Sequence, residues 1–264
     1  LAETLVAEGH TADLIIANNV LAQVPDLNDF VAGMTKLLKP EGVITLELPH
    51  LLKLVENNQF DTIYHEHFSY FSLVAIQALA KRHDMTIADV EELPTHGGSL
   101  RVFLVHKGSA HKIEESVRLL IEREEQWGVR KVEAYVQFSD SVQRAKRRIL
   151  SFLIAAKEDG KVVCAYGAPG KGNTLLNYCG IGTDFIDFTV DRNPYKHGRY
   201  TPGRRIPIHP IEAIDAARPD YILILPWNLR DEIVSQMYHV SAWGAKFVVP
   251  IPNLQIIDPR EINK

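Results

Sequence analysis

"ADLIIANNVLAQVPDLNDFVAGMTKLLKPEGVITLELP", residues 12–49, decides the fold. Residues 12–21 are an apolar run that ends in a polar turn, which predicts a buried strand. Residues 27–42 place Phe30, Val31, Met34, Leu37 and Leu38 at helical spacing, and Pro40 and Gly42 stop the pattern. Residues 42–49 are again strand-like. Strand, helix and strand in that order form a right-handed parallel unit. Downstream, residues 73–85 predict a second helix. "MTIADVEELP" and "GSLRVFLVHKG", joined around "THGG", predict an antiparallel hairpin.

Residues 109–159 are charged and helical, and are expected to form a solvated connector of one or two long helices. After Gly160 the α/β alternation resumes. "KVVCAYGAPGKGNTLLNYCGI" reads as strand, Gly-rich turn and helix, and three further strand candidates follow, in "DFTVDRNP", "ARPDYILILPW" and "AKFVVPIPNL". The fold class expected is therefore α/β: residues 1–108 as one Rossmann-like portion, 109–159 as connector, and 160–264 as a second doubly wound domain.

Composition narrows the function. With 264 residues, 46% hydrophobic and 23% charged, the chain has room for two cores. A net charge of −4 argues against a general nucleic-acid binder. No apolar run approaches the roughly 20 residues that span a bilayer, and the acidic start lacks the basic segment of a signal peptide. Cys164 and Cys179 are too few for a disulfide framework or a four-thiolate zinc site. A small-molecule partner and a reduced, cytoplasmic setting are expected, with neither nucleic acid nor membrane as partner; the oligomeric state is left open.

The chemistry concentrates in "IYHEHFSYFS", residues 63–72. Tyr64, His65, Glu66 and His67 admit three readings: a metal site, an acid–base site, or a polar structural loop. The metal reading is short of ligands, since the nearest further candidate, His83, belongs to a separate helix. Imidazole titrates near neutral pH, which suits His67 to proton transfer. "ELPTHGGSLR" contains a Gly-Gly pair suited to a tight turn, flanked by His96 and Arg101. "YGAPGKGNT" sets Gly167, Gly170 and Gly172 around Lys171 at a strand-to-helix turn, but matches neither the dinucleotide fingerprint nor the P-loop pattern. Asn18 and Asn19 follow the first strand, where they either cap a helix or meet a ligand.

Taken in order, "NNVLAQVPDL", "LLKPEGVITLELP", "FDTIYHEHFSYFS", "HGGSLR", "YGAPGKGNT", "DRNPYKHGRYTPG" and "LPWN" resemble the sugar C-methyltransferases that act on nucleotide-linked keto-deoxysugars. The resemblance spans nearly the whole chain. It implies that the first portion is the C-terminal half of a class I methyltransferase sheet and that S-adenosyl-L-methionine is the cofactor. It implies a nucleotide sugar as substrate, methylated on carbon through an enolate. O- or N-methylation of a small metabolite and a non-catalytic binding fragment are the rival expectations. Tyr64, Glu66 and His67 correspond to active-site residues of the family, with His67 as base, Glu66 as its orienting partner and Tyr64 as donor to the enolate oxygen. His65 acquires no role. Asn18 and Asn19 are placed at the cofactor. His96, Arg101, Gly170, Lys171, Asn193, Lys196 and Asn228 are placed at the substrate.

The family often has a histidine where Gln23 stands, which removes a second base at that position. The family also carries a cysteine-rich zinc-binding N-terminal domain and early strands with a Gly-rich cofactor turn, which have no counterpart in this sequence. The chain is accordingly expected to be the C-terminal piece of a protein of about 400 residues, one domain of ordinary size longer. Alone it is expected to bind the cofactor poorly.

Overall fold

The computed structural model describes residues 1–261. The chain divides into two compact units, one of residues 1–56 and 65–137, the other of residues 57–64 and 138–264.

In the first unit, α1 (Ala2–Ala7) precedes β1 (Ala12–Asn18), α2 (Leu27–Leu37), β2 (Leu38–Pro49), α3 (Leu51–Glu56), α4 (Leu73–Arg82), β3 (Met85–Leu93), β4 (Ser99–His106) and α5 (Glu115–Trp127). The strands lie in the order β1-β2-β4-β3. β1 and β2 are parallel, and β4 runs antiparallel to both β2 and β3. This is the strand–helix–strand–helix–hairpin succession expected for the C-terminal half of a methyltransferase sheet. Val31 and Met34 of α2 and Leu73 and Ile76 of α4 cover Ile44 and Leu46 of the sheet. Asp26 caps α2 by accepting from the Asp29 N–H, and Ser72 caps α4 through the Ala75 N–H.

One boundary differs from the expectation. α2 ends at Leu37, not at Gly42, and β2 begins at Leu38. The pairing register jumps from Ala12↔Leu38 to Leu14↔Val43, so residues 39–42 bulge out of the ladder. Pro40 has no N–H to continue a helix. A Cβ on Gly42 would meet the Ala12 and Asp13 carbonyl oxygens at 3.0 Å, so glycine lets the chains close up there.

The second unit contains the main length of α6 (Val132–Glu158), then β5 (Val163–Tyr166), α7 (Gly170–Cys179), β6 (Thr189–Val190), β7 (Ile208–His209), α8 (Ala213–Ala217), β8 (Tyr221–Ile224), α9 (Arg230–Gln236), β9 (Lys246–Val249) and β10 (Gln255–Ile257). The sheet order is β10-β9-β8-β5-β6-β7, parallel throughout except for β10 at the edge. The chain leaves β5 toward β7 and returns to β8 on the other flank. The order therefore reverses between β5 and β8, and ligand crevices of doubly wound sheets open at the carboxyl ends of strands at such a point.

Residues 109–159 are not a solvated connector. α5 lends Val117 and Leu120 to the first core. The 27-residue α6 buries Val142, Ala145, Ile149, Leu153 and Ala156 in the second unit. Those positions recur at three- and four-residue steps, a stripe that the intervening Lys and Arg conceal in the sequence. Among the described residues, no helix is long and apolar enough to cross a membrane.

Candidate active site

The carboxyl ends of β1 and β2 organise the first unit's candidate site. β1 ends at Asn18, opposite Glu47 of β2. Asn19 takes a left-handed conformation (φ 54°) and its N–H donates to the Glu47 carbonyl at 2.7 Å. Asparagine tolerates this region better than most residues. Neither Asn18 nor Asn19 caps a helix: the following 3-10 turn, Leu21–Gln23, has no side-chain cap. Asn18 is exposed at the strand end.

Residues 65–72 run as an irregular loop strapped along the same edge. The Phe68 and Ser69 N–H groups both donate to the Ala22 carbonyl, at 2.8 and 3.3 Å. The Leu51 N–H donates to the Phe71 carbonyl at 2.9 Å, and His50 and Phe71 form a parallel bridge. The backbone around His67 is thus tied to the turn after β1 and to the residues just after β2. His65 and Glu66 are exposed, and His67 is half-buried with its ring edge-on to Tyr70 at 5.7 Å. The turn carrying His96 reaches this edge too, because the His50 N–H donates to the Gly98 carbonyl at 3.1 Å. His96 is exposed and left-handed (φ 55°).

Arg101 is already engaged. Its guanidinium pairs with Glu47 at 3.1 Å and Glu91 at 3.3 Å, across the β4 register with β2 and β3. Beneath the loop lies a buried group that the sequence did not reveal. Glu124 of α5, with no exposed surface, accepts from the Leu73 and Val74 N–H groups at 2.9 Å each and from His50 Nε2 at 2.8 Å. A carboxylate from another helix thereby satisfies the opening turn of α4.

The second unit gathers its own set at the β5/β8 reversal. Gly167, just after β5, is left-handed (φ 86°), and a Cβ there would lie 2.7 Å from Pro226 Cδ. Gly172 is pressed against Leu225 in the same way, at 2.9 Å. These two glycines serve close packing. Gly170 opens α7 and is exposed, and Tyr64, which belongs to this unit, is its nearest neighbour: a Cβ on Gly170 would be 3.9 Å from Tyr64 Cε2. The Lys171 ammonium donates to Asn228 Oδ1 and lies 4.3 Å over the Trp227 ring. Burial lowers the Lys171 pKa, and the charge of Asp61 opposes that shift.

Asp61 lies in the short 3-10 turn ahead of the motif and has no exposed surface. Its Oδ2 accepts from the Trp227 indole at 2.7 Å. Burial raises its pKa to about 6, against the opposing effects of the indole bond, Lys171 and nearby backbone N–H groups.

Asp191, just after β6, is a hub. It accepts from the Ala168 and Asn193 N–H groups at 2.8 Å each and from Lys196 Nζ at 2.9 Å. Burial works to raise its pKa, but those donors outweigh it and hold the carboxyl below its usual range. Lys196 also donates to the Ala168 carbonyl, and Asn193 caps its own turn by accepting from the Tyr195 N–H. Asn193 and Lys196 therefore shape the 191–197 loop and stitch it to the glycine turn. Among the described residues no cluster of three or more His, Cys, Asp or Glu side chains has the arrangement of a metal site.

Comparison with known proteins adds an independent line. Residues 94–252 match the family described as C-methyltransferase C-terminal domain, and residues 2–90 match one described as methyltransferase domain. The chain is 36% identical over 255 residues to the C-methyltransferase NovU of Streptomyces niveus, covering 97% of this chain and 61% of NovU. Among solved structures, an O-methyltransferase family protein from Burkholderia thailandensis superposes with a TM-score of 0.30 at 15% identity, over 41% of this chain and 34% of that one. The mitomycin 7-O-methyltransferase MmcR gives 0.28 at 13% identity, over 39% and 37%.

Proposed function

The chain belongs to the C-methyltransferase family, and from that premise we propose that the whole protein transfers a methyl group from S-adenosyl-L-methionine to a carbon of a nucleotide-activated keto-deoxysugar. One observation carries the reading. The segment bearing Glu66 and His67 is pinned by backbone hydrogen bonds to Ala22 and Leu51, at the carboxyl ends of the parallel pair β1 and β2. That is the edge of an open α/β sheet at which ligands bind.

His67 is the base that removes the proton from the sugar carbon beside the ketone. Glu66 orients its imidazole, and the Tyr64 hydroxyl donates to the developing enolate oxygen. The enolate carbon is then the nucleophile. When bound, S-adenosyl-L-methionine supplies the electrophilic methyl group. Exposed Asn18 at the end of β1, with the left-handed Asn19 turning the backbone across the strand end, suits contact with its polar portion. His96 faces the substrate from the turn beside His50. Gly170, Lys171 and Asn228 meet the sugar-nucleotide phosphates in the second unit. Arg101, Asn193 and Lys196 act on the substrate through the loops and strand register that they hold.

In the full-length enzyme, His67→Asn is expected to lower kcat at least a hundredfold, within the range general acid–base groups contribute. Affinity for S-adenosylhomocysteine should stay within about threefold, since the change removes no binding group for that ligand. Product NMR should show a new C–CH₃ resonance. A kcat close to wild type, or an O–CH₃ product, overturns the reading.

A further inference from the structure

We infer that Asp61 is a positioning residue: it is the buried counter-ion of Lys171, and through Trp227 and Asn228 it fixes where that ammonium lies and how much charge it offers an anionic ligand. The inference concerns residues of the second unit alone, and its ligand arm rests on the proposal that Lys171 meets the substrate's phosphates.

The geometry is a chain of named contacts. The Asp61 carboxylate has no exposed surface, and its Oδ2 accepts from Trp227 Nε1 at 2.7 Å. That bond fixes the indole, over whose ring the Lys171 ammonium sits at 4.3 Å. The next residue, Asn228, accepts from the same ammonium. Asp61 Oδ1 is buried without a hydrogen-bond partner. A carboxylate so deeply buried keeps much of its field, because the low local dielectric screens it little. Lys171 is the charged group that this field reaches.

The other groups around Asp61 do not compete for the role. α7 presents Cys179, whose thiol burial pushes up to about 11, so it is neutral across the working range. Phe60, beside Asp61, packs its ring against Tyr178 at 5.2 Å, and Lys146 of α6 lies over that Tyr178 ring and donates to the Tyr178 carbonyl. The segment after β8 contributes Trp227 and Asn228, neither of them ionisable in this range. Lys171 is thus opposed by one buried carboxylate. Burial raises the Asp61 pKa to about 6, so the carboxylate becomes neutral in weak acid while the ammonium keeps its proton.

The consequence has a definite sign. Above pH about 6 the Asp61 charge offsets Lys171, and an anion at Lys171 feels a nearly neutral pair. Below that pH Lys171 acts alone and anion binding tightens. A unit charge several Å away at intermediate dielectric changes affinity by about three- to tenfold after screening.

The test uses the intact protein, wild type and Asp61→Asn. The amide keeps an oxygen acceptor for the indole and removes only the charge. Competitive amine labelling with mass-spectrometric readout measures the Lys171 titration without any ligand. The expected result is a lower Lys171 midpoint in Asp61→Asn, because nothing then opposes its burial; an unchanged midpoint overturns the counter-ion assignment. Calorimetric titration with uridine and thymidine diphosphate-glucose, whose phosphodiesters carry no proton between pH 5 and 8, measures the ligand arm. Wild type should bind about three- to tenfold more tightly at pH 5 than at pH 7.5, and Asp61→Asn should lose that slope and bind like the low-pH wild type. Equal slopes in the two proteins overturn the inference. A shifted Lys171 midpoint with no binding of either nucleotide sugar at any pH supports the counter-ion and instead overturns the nucleotide-sugar substrate.

Discussion

Glu124→Ala should come close to unfolding the first unit, although Glu124 lies more than fifty residues from the loop it supports. The carboxylate is wholly buried and accepts from the Leu73 N–H, the Val74 N–H and His50 Nε2, at 2.9, 2.9 and 2.8 Å. Alanine leaves all of these donors in a dry interior. Each stranded donor costs about 1–3 kcal/mol. Three such donors together cost about 3–9 kcal/mol, a large part of the roughly 5–15 kcal/mol that holds a domain folded. Glu124→Gln keeps one acceptor oxygen but turns an NH₂ toward a donor, and is expected to cost about 2–3 kcal/mol. Urea unfolding followed by far-UV circular dichroism measures the loss. Hydrogen exchange at the Leu73 and Val74 amides localises it to the start of α4. A Glu124→Ala protein within 1 kcal/mol of wild type, a bound taken from the lowest cost of a single stranded donor, refutes the reasoning, as does unchanged protection at those two amides.

Asp61 also makes stability depend on pH. Its folded pKa, about 6, lies above the ordinary 3.8, so its stabilising contribution is complete below about pH 3.8 and is lost as pH rises through 6. The difference of about two units corresponds to about 3 kcal/mol, so at pH 7.5 Asp61→Asn should be more stable than wild type by up to that amount, with the gap closing by pH 4 in urea titrations. Gly167→Ala places a methyl 2.7 Å from Pro226 at φ 86°, and should cost about 1–3 kcal/mol, read as a fall of several degrees in Tm by calorimetry. Asp191→Ala strands the Ala168 and Asn193 N–H groups and releases Lys196, and should raise hydrogen exchange at Ala168 and Asn193 while α4 keeps its protection.

Much of the architecture was legible because its signals are local. Apolar runs at 12–18, 43–49, 163–166 and 221–224 announce strands, and the steps from Phe30 to Leu37 announce α2. The bulge at residues 39–42 was hidden, because Leu38 continues the helical pattern while its partner across the sheet, Ala12, decides the matter. The apolar stripe of α6 was hidden by the charged residues between its steps. For the proposed site, residue type and pattern pointed to Tyr64, Glu66, His67, Lys171 and Asn228. It could not reveal that Arg101 is already shared by Glu47 and Glu91, nor that Lys196 and Asn193 close on Asp191. The Arg101 pairings cross strands, and the Asp191 contacts depend on how the 191–197 loop folds back on itself, neither of which residue type alone encodes.

Asp61, His50 and Glu124 were illegible for a deeper physical reason. A buried ionisable side chain looks in sequence like any surface charge. What distinguishes it is the partner that keeps it buried, here Trp227 for Asp61 and a helix start for Glu124. Such groups are costly unless paired. The structure places them on either side, in sequence, of a loop whose own shape depends on backbone bonds to Ala22 and Leu51. Backbone hydrogen bonds to Ala22 and from Leu51, and the Glu124 carboxylate at the start of α4, hold residues 65–72 in place. On that argument, mutations in the motif should cost turnover with little stability, and mutations at Glu124 should cost stability first. A motif variant that unfolds the protein as readily as Glu124→Ala would reverse the division of labour.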